Sequence, residues 1–229
     1  MTLQISVWEK SYNESLRFNY YLASIPAGSV QVLSIIKANN LAKSRNYQLI
    51  FENVSFNLDA GELMWLKGAN GSGKTSLLRI LAGLSQLNQG DLICNTDDCL
   101  YISHQLSLVP ELTVMETLKQ LYPLYDSKSQ GSVISVSIDQ LLTLFQLTGT
   151  KNKPVKLLSA GQKQRLKLMQ LSLYKRNLWL LDEPYSNLDK SGVELLNNLI
   201  SQHLNNNGSV ILTSHFERLE FAKIKELNL

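Results

Sequence analysis

GANGSGKT, residues 68–75, is the stretch best equipped for chemistry. It fits G-x-x-x-x-G-K-[ST], in which glycines let the backbone curl until its N–H groups point at phosphate. Gly68, Gly71 and Gly73 supply that freedom, and Ala69, Asn70 and Ser72 complete the loop. Lys74 is expected to reach the β- and γ-phosphates of a nucleoside triphosphate, and the Thr75 hydroxyl to hold Mg²⁺. LWLLDEP, 178–184, supplies the acids: Asp182 for Mg²⁺ through water, and Glu183 as general base for an attacking water. A positioned base accelerates such a step by roughly 10²–10⁴. A third stretch complicates the picture. KLLSAGQKQRLKLMQL, 156–171, also reads as a phosphate seat, with Ser159, Ala160, Gly161 and Gln162 at a helix start where backbone N–H groups are free.

These residues need a frame to hold them. LMWLKG (63–68), CLYISHQ (99–105), LWLLDEP (178–184) and VILTSH (210–215) are apolar without alternation, as strands buried on both faces of a parallel sheet are. TSLLRILAGL places Leu77, Leu81 and Leu84 at helical spacing, with a stop near Gly83. GQKQRLKLMQLSLY reads as a further helix carrying Leu166, Met169 and Leu173. Strand and helix in alternation define an α/β fold. Between about 106 and 160 two helical stretches, VMETLKQLY and IDQLLTLFQL, follow one another with no strand between them, which predicts an inserted helical subdomain. The basic residues of KQRLKLMQLSLYKR are expected to snorkel toward phosphate or solvent.

Composition sets limits on partners. The chain has 229 residues, 44% hydrophobic and 18% charged, with a net charge of +3, too small to argue for nucleic acid. Cys94 and Cys99 lack further ligands nearby and read as two unpaired thiols of a reducing compartment. No run of about 20 apolar residues exists, and the uncharged stretch 19–36 is broken by Pro26 and Gly28. Membrane contact is therefore expected through a partner. Residues 1–37 have neither period nor motif and read as an N-terminal extension, flexible or produced by a start set too far upstream; 38–229 form the functional domain.

In order, the P-loop, HQ, LSAGQ, LLDEP, SNLD and TSH resemble the motif set of ABC-type ATPases over residues 38–229. The resemblance implies a P-loop NTPase fold of ABC type, with a mainly parallel core sheet and the inserted helical subdomain. It also implies ATP and Mg²⁺, and a nucleotide-sandwich dimer of two copies packed head to tail. In such a dimer Ser159, Ala160, Gly161 and Gln162 cap the ATP on the other copy's P-loop, which would explain two phosphate seats in one chain. By the same resemblance Gln105 links Mg²⁺ and the attacking water to the helical subdomain. Asp189 communicates across the dimer, and His215 contacts the γ-phosphate. Glu183, His215 and Gln105 then form the catalytic set, with Thr75, Asp182 and Gln105 around the metal. The family's adenine-stacking tyrosine falls in register with Arg45 or Asn46, with Tyr47 slightly late, so either Arg45 or Tyr47 takes that role. His104 and His203 match no motif and are expected to be structural or exposed.

A narrower resemblance lies in VSFNLDAGELMWLKGANGSGKTSLLRILAGL, PVKLLSAGQKQR and LWLLDEP, including Ala160 and Trp179. These look like the ATP-binding subunit of the cytochrome c maturation haem exporter. The chain stops soon after His215, which fits a compact exporter cassette without a C-terminal regulatory domain. The resemblance implies an ATP hydrolase coupled to transport, peripheral on the cytoplasmic side of a bacterial inner membrane. It would be bound to a membrane-spanning permease subunit, with no nucleic-acid partner and no direct haem ligand. An exporter cassette for a lipid, peptide or drug is the alternative. A soluble ABC ATPase acting on ribosomes or DNA fits less well, because one P-loop and an insert without heptads are present.

Overall fold

The computed structural model describes residues 34–104, 108–121, 137–214, 221 and 223–229. Gln105, His215, most of the proposed N-terminal extension and part of the helical insert therefore lie outside the described residues.

Five strands form one parallel sheet: β3 (Leu63–Lys67), β5 (Cys99–Ile102), β6 (Leu178–Leu181), β7 (Ser209–Thr213) and β8 (Ile224–Asn228), in the order β5-β6-β7-β3-β8. Their apolar runs hide a strict alternation. Met64, Leu66, Leu178, Leu180 and Ile211 face one core, while Leu63, Trp65, Trp179, Leu181, Val210 and Leu212 face the other. Both faces are covered, so both sets must be apolar and the period of two disappears from the sequence.

A second, three-stranded sheet has no continuous apolar run to announce it. β1 (Ser34–Arg45), β2 (Gln48–Asp59) and β4 (Gln89–Cys94) pair antiparallel in the order β2-β1-β4. β1 begins at Ser34, ahead of the boundary expected at 37/38, and Ile36 is fully buried. Asn46 and Tyr47, at φ 49° and 62°, make the two-residue turn between β1 and β2, with positive φ at both positions as a type I′ hairpin turn requires.

Helix α1 (Lys74–Leu81) is filled by this arrangement. Leu77, Leu78, Ile80 and Leu81 are buried in the core that the second sheet shares with the parallel one. The helix stops at Leu81, so Leu84 does not continue its apolar face and is 59% exposed.

The insert holds α2 (Val114–Leu121) and α3 (Ile138–Leu144), followed by α4 (Ala160–Leu168) and, after β6, α5 (Lys190–Asn205). Three of these helices start on the same local device. Thr113 with Glu116, Ser137 with Gln140 and Ser159 with Gln162 each exchange side-chain-to-backbone hydrogen bonds. Such reciprocal caps satisfy two N–H groups that a helix start leaves unpaired. The two parts of the insert are stitched by Val114 and Met115 N–H groups donating to the Lys153 and Lys151 carbonyls. α4 is shorter than its pattern predicts, giving way to a 3-10 turn at Met169–Ser172.

Candidate functional site

In a parallel sheet all strands end at one edge, and ligands of open α/β sheets bind outside those ends. The loop after β3, the acids after β6 and Thr213 at the end of β7 therefore converge, although they are far apart in sequence. They border a cavity of about 470 Å³ lined by Asn70, Gly71, Lys74, Thr75, Asp182 and Glu183, among others.

The loop geometry follows from its glycines. Gly68, Gly71 and Gly73 sit at φ 143°, 85° and 102°, where other residues are strained. A Cβ on Gly73 would also lie 2.7 Å from Ile50 Cγ2 and 2.9 Å from Phe51 Cδ1, so β2 itself demands glycine there. The Lys74 ammonium donates to the Gly68 and Ala69 carbonyls at 2.8 and 2.9 Å, folded over the loop it belongs to.

Asp182 is 2% exposed and held from three sides. Its N–H donates to the Ile102 carbonyl at 2.9 Å, and its carboxylate accepts from Thr75 Oγ1 at 2.8 Å and from Thr213 Oγ1 at 2.9 Å. Thr213 in turn accepts the Glu183 N–H at 2.7 Å, and Glu183 has φ 51°. The negative charge of Asp182 is felt nearby: burial first, and then that charge, push the Tyr101 hydroxyl up to about 12. Thr213 was missed in sequence; its only signal was its place two residues before His215 in VILTSH.

The pocket fits a nucleoside triphosphate. A positive-φ glycine loop leads into the N-terminus of α1, whose backbone N–H groups and adjacent ammonium favour phosphate oxygens. The neighbouring Thr75 hydroxyl and Asp182 carboxylate are hard oxygen donors of the kind Mg²⁺ accepts, and among the described residues no cluster of three or more His, Cys, Asp or Glu offers a richer metal site.

Other expected residues fall elsewhere. None of Ser159, Ala160, Gly161 and Gln162 lines this cavity. Ser159 and Gln162 are engaged in their own capping box, and a Cβ on Gly161 would lie 2.9 Å from the Asn187 carbonyl oxygen. Asp189 caps α5 by accepting the Gly192 N–H at 2.9 Å and pairs with Arg165. The Arg165 hydrogen bond is the main cause holding its carboxyl below the usual range. Tyr47 is fully exposed on the β1–β2 turn, and neither it nor Arg45 lines the cavity, whereas Ile50 does.

One expectation is corrected. Two basic residues of α4 do not snorkel outward: Arg165 and Lys167 are 6% and 4% exposed, each drawn inward by hydrogen bonds, while Lys163 is half-buried and Lys175 and Arg176 beyond the helix are exposed. His104 is exposed, as expected, and also lines the cavity; His203 is structural, stacking on Trp179 with ring centroids 3.7 Å apart and planes 3° from parallel. Cys94 and Cys99 are free thiols, and burial pushes Cys94 up to about 11.

Fold and site together define an ATP-binding cassette: a glycine-rich phosphate loop at the edge of a parallel sheet, with an acid pair at the end of β6, two strands along from β3. The ABC transporter family model matches residues 51–186. Solved structures agree on the fold. An ATP-binding subunit of an ABC transporter superposes with a TM-score of 0.68 at 23% identity, covering 80% of each chain. The dimeric ATP-binding cassette MJ0796, in a post-hydrolysis state bound to ADP and Pi, gives 0.63 at 22% identity over 79% of this chain and 88% of its own. The cytochrome c biogenesis ATP-binding export protein CcmA of Vibrio vulnificus (strain YJ016) is 36% identical over 207 residues, covering 85% of this chain and 99% of its own. CcmA of Vibrio cholerae is 38% identical over 207 residues, covering 85% and 98%. The chain belongs to the ABC transporter family and, within it, to the cytochrome c biogenesis ATP-binding export proteins. Among the described residues no helix is long and apolar enough to cross a membrane.

Proposed function

We propose that this chain binds and hydrolyses ATP as the motor subunit of an ABC transporter complex serving haem export or delivery in c-type cytochrome biogenesis. The observation that carries the reading is its identity to the named export proteins over 85% of its length. The union of Thr75 with Asp182 at the P-loop supports it.

In this reading Lys74 leaves the Gly68 and Ala69 carbonyls for the β- and γ-phosphates. Gly71 and Gly73 let the loop N–H groups wrap those phosphates. Thr75, Asp182 and Gln105 supply the oxygens for Mg²⁺, directly or through water. Bound Mg²⁺ neutralises charge on the phosphate oxygens. Glu183, at the cavity wall, takes the proton of the attacking water, with Gln105 and His215 completing the catalytic set. The buried hydroxyl of Thr213 fixes the backbone of Glu183 relative to Asp182. Ser159, Ala160, Gly161 and Gln162 act on the second copy's nucleotide, which accords with their absence from their own chain's cavity. The complex sits at the cytoplasmic face of a bacterial inner membrane. A permease subunit spans the bilayer and sets the cargo.

The test is a covalent-haem stain of membrane proteins from cells whose only copy carries Glu183→Gln. Loss of c-type cytochromes with the variant protein still present is expected. Normal cytochrome levels would leave the cassette standing and assign it another cargo.

A further inference from the structure

Helix α4 sends three polar side chains inward. Gln164 Nε2 donates to the Pro184 carbonyl at 2.7 Å, next to Glu183. Arg165 reaches Asp189, Ser191 and Gln146. Lys167 is the unexpected one. At 4% exposure it is a lysine where lysines are rarely found unless paired, and a methionine would fill the same space without losing the hydration of a charge.

What the ammonium holds explains it. Lys167 Nζ donates to the Ser103 carbonyl at 2.6 Å and to the His104 carbonyl at 3.4 Å. Among the described residues it has no carboxylate within ion-pair reach. These carbonyls belong to the two residues that leave β5 and immediately precede Gln105 in the chain. β5 is tied at that end to Asp182 through the Ile102 carbonyl, and His104 lines the nucleotide cavity. Burial lowers the Lys167 pKa to about 8, against the opposing pull of Asp182, so it remains a charged donor at neutral pH. The helix that carries it starts at the signature turn.

We propose that Lys167 is a positioning residue for hydrolysis: it fastens the exit of β5, with the His104 wall and the approach to Gln105, to the helix that begins at Ser159. This rests on the reading of the site as an ATPase. Its contacts are to backbone carbonyls, so its effect falls on the placement of the segment and not on phosphate binding, which Lys74 serves.

The experiment uses the full chain carrying Lys167→Met or Lys167→Arg. Affinity for a fluorescent ATP analogue with Mg²⁺, kcat and KM for ATP, and hydrogen exchange over residues 99–112 are measured. In Lys167→Met, analogue affinity is expected to stay within about twofold, while kcat falls about tenfold or more. Exchange at residues 103 and 104 is expected to quicken about tenfold. Lys167→Arg, which keeps a charged donor, restores most of both. Wild-type kcat and exchange in Lys167→Met overturn the proposal, as does weaker binding with kcat unchanged. Should the wild type neither bind nor hydrolyse ATP, the ATPase reading falls, and the exchange comparison still decides whether Lys167 holds the β5 exit. If Lys167→Met does not fold by circular dichroism, Lys167→Leu, which likewise has no donor, goes through the same measurements; wild-type exchange there is equally fatal.

Discussion

The Thr213 hydroxyl donates to Asp182 Oδ1 at 2.9 Å, linking the end of β7 to the end of β6, and Thr213 Oγ1 itself accepts the Glu183 N–H at 2.7 Å. One buried hydroxyl thus joins the Asp182 carboxylate to the backbone of Glu183. β7 lies between β6 and β3 in the sheet, so it is the strand placed to make this bridge.

Thr213→Val keeps the shape and removes the bridge. It leaves the Glu183 N–H without that acceptor, which costs about 1–3 kcal/mol of stability. The kcat for ATP is expected to fall about tenfold with KM within about twofold, because the phosphate loop is untouched. Steady-state ATPase assays check this, with Thr213→Ser retaining activity.

Gly161 is expected to be irreplaceable for a reason inside its own chain. An added Cβ would stand 2.9 Å from the carbonyl oxygen of Asn187, itself at φ 61° beside Asp189. Gly161→Ala should therefore displace the 187–189 turn and weaken ATP-driven pairing of two copies, leaving analogue binding to a single copy intact. Sedimentation of the Glu183→Gln background with and without Gly161→Ala reads the difference; equal dimer fractions would refute it.

Truncation should separate at β1. Removing residues 1–33 is expected to leave the unfolding midpoint and ATPase activity near wild type. Removing 1–37 takes away Ile36, fully buried and paired with Leu58 and Cys94, at a cost of about 2–5 kcal/mol. Urea unfolding followed by circular dichroism distinguishes the two deletions.

His203 makes stability depend on pH. Burial against Trp179 lowers its pKa below 6.5, so the neutral ring is the folded form. The unfolded chain takes up the proton first as pH falls. Stability is therefore full above 6.5 and declines below it, at no more than about 1.4 kcal/mol per pH unit, until the folded pKa is passed. Urea midpoints at pH 7.5 and 5.5 should differ more for the wild type than for His203→Phe, which keeps a ring on Trp179 but cannot titrate.

The phosphate loop was legible in the sequence because its chemistry is local. Eight consecutive residues fix both the curl of the backbone and the donors it presents, and the four strand runs around them are continuous and apolar. The capping boxes at Thr113, Ser137 and Ser159 are equally local, since each is closed within three residues. The second sheet was not legible. β1 and β4 alternate only weakly, with burial that depends on α1 and β2 packed against them.

Side-chain fate on α4 could only be decided in three dimensions. Spacing alone makes Arg165 and Lys167 look like a solvated basic face. Their burial depends on acceptors from distant segments: the Phe145 carbonyl, the Gln146 side chain, Asp189, and the Ser103 and His104 carbonyls. The same holds for Thr213, whose role exists only because the sheet order sets β7 beside β6. Sequence determined the loop suited to phosphate and four of the five strand runs of the parallel sheet, because those depend on neighbours in the chain. The tertiary structure decided which charges are buried, which carbonyls they meet, and that Ser159–Gln162 stand outside their own chain's pocket. Those outcomes depend on desolvation and on partners brought together only by folding.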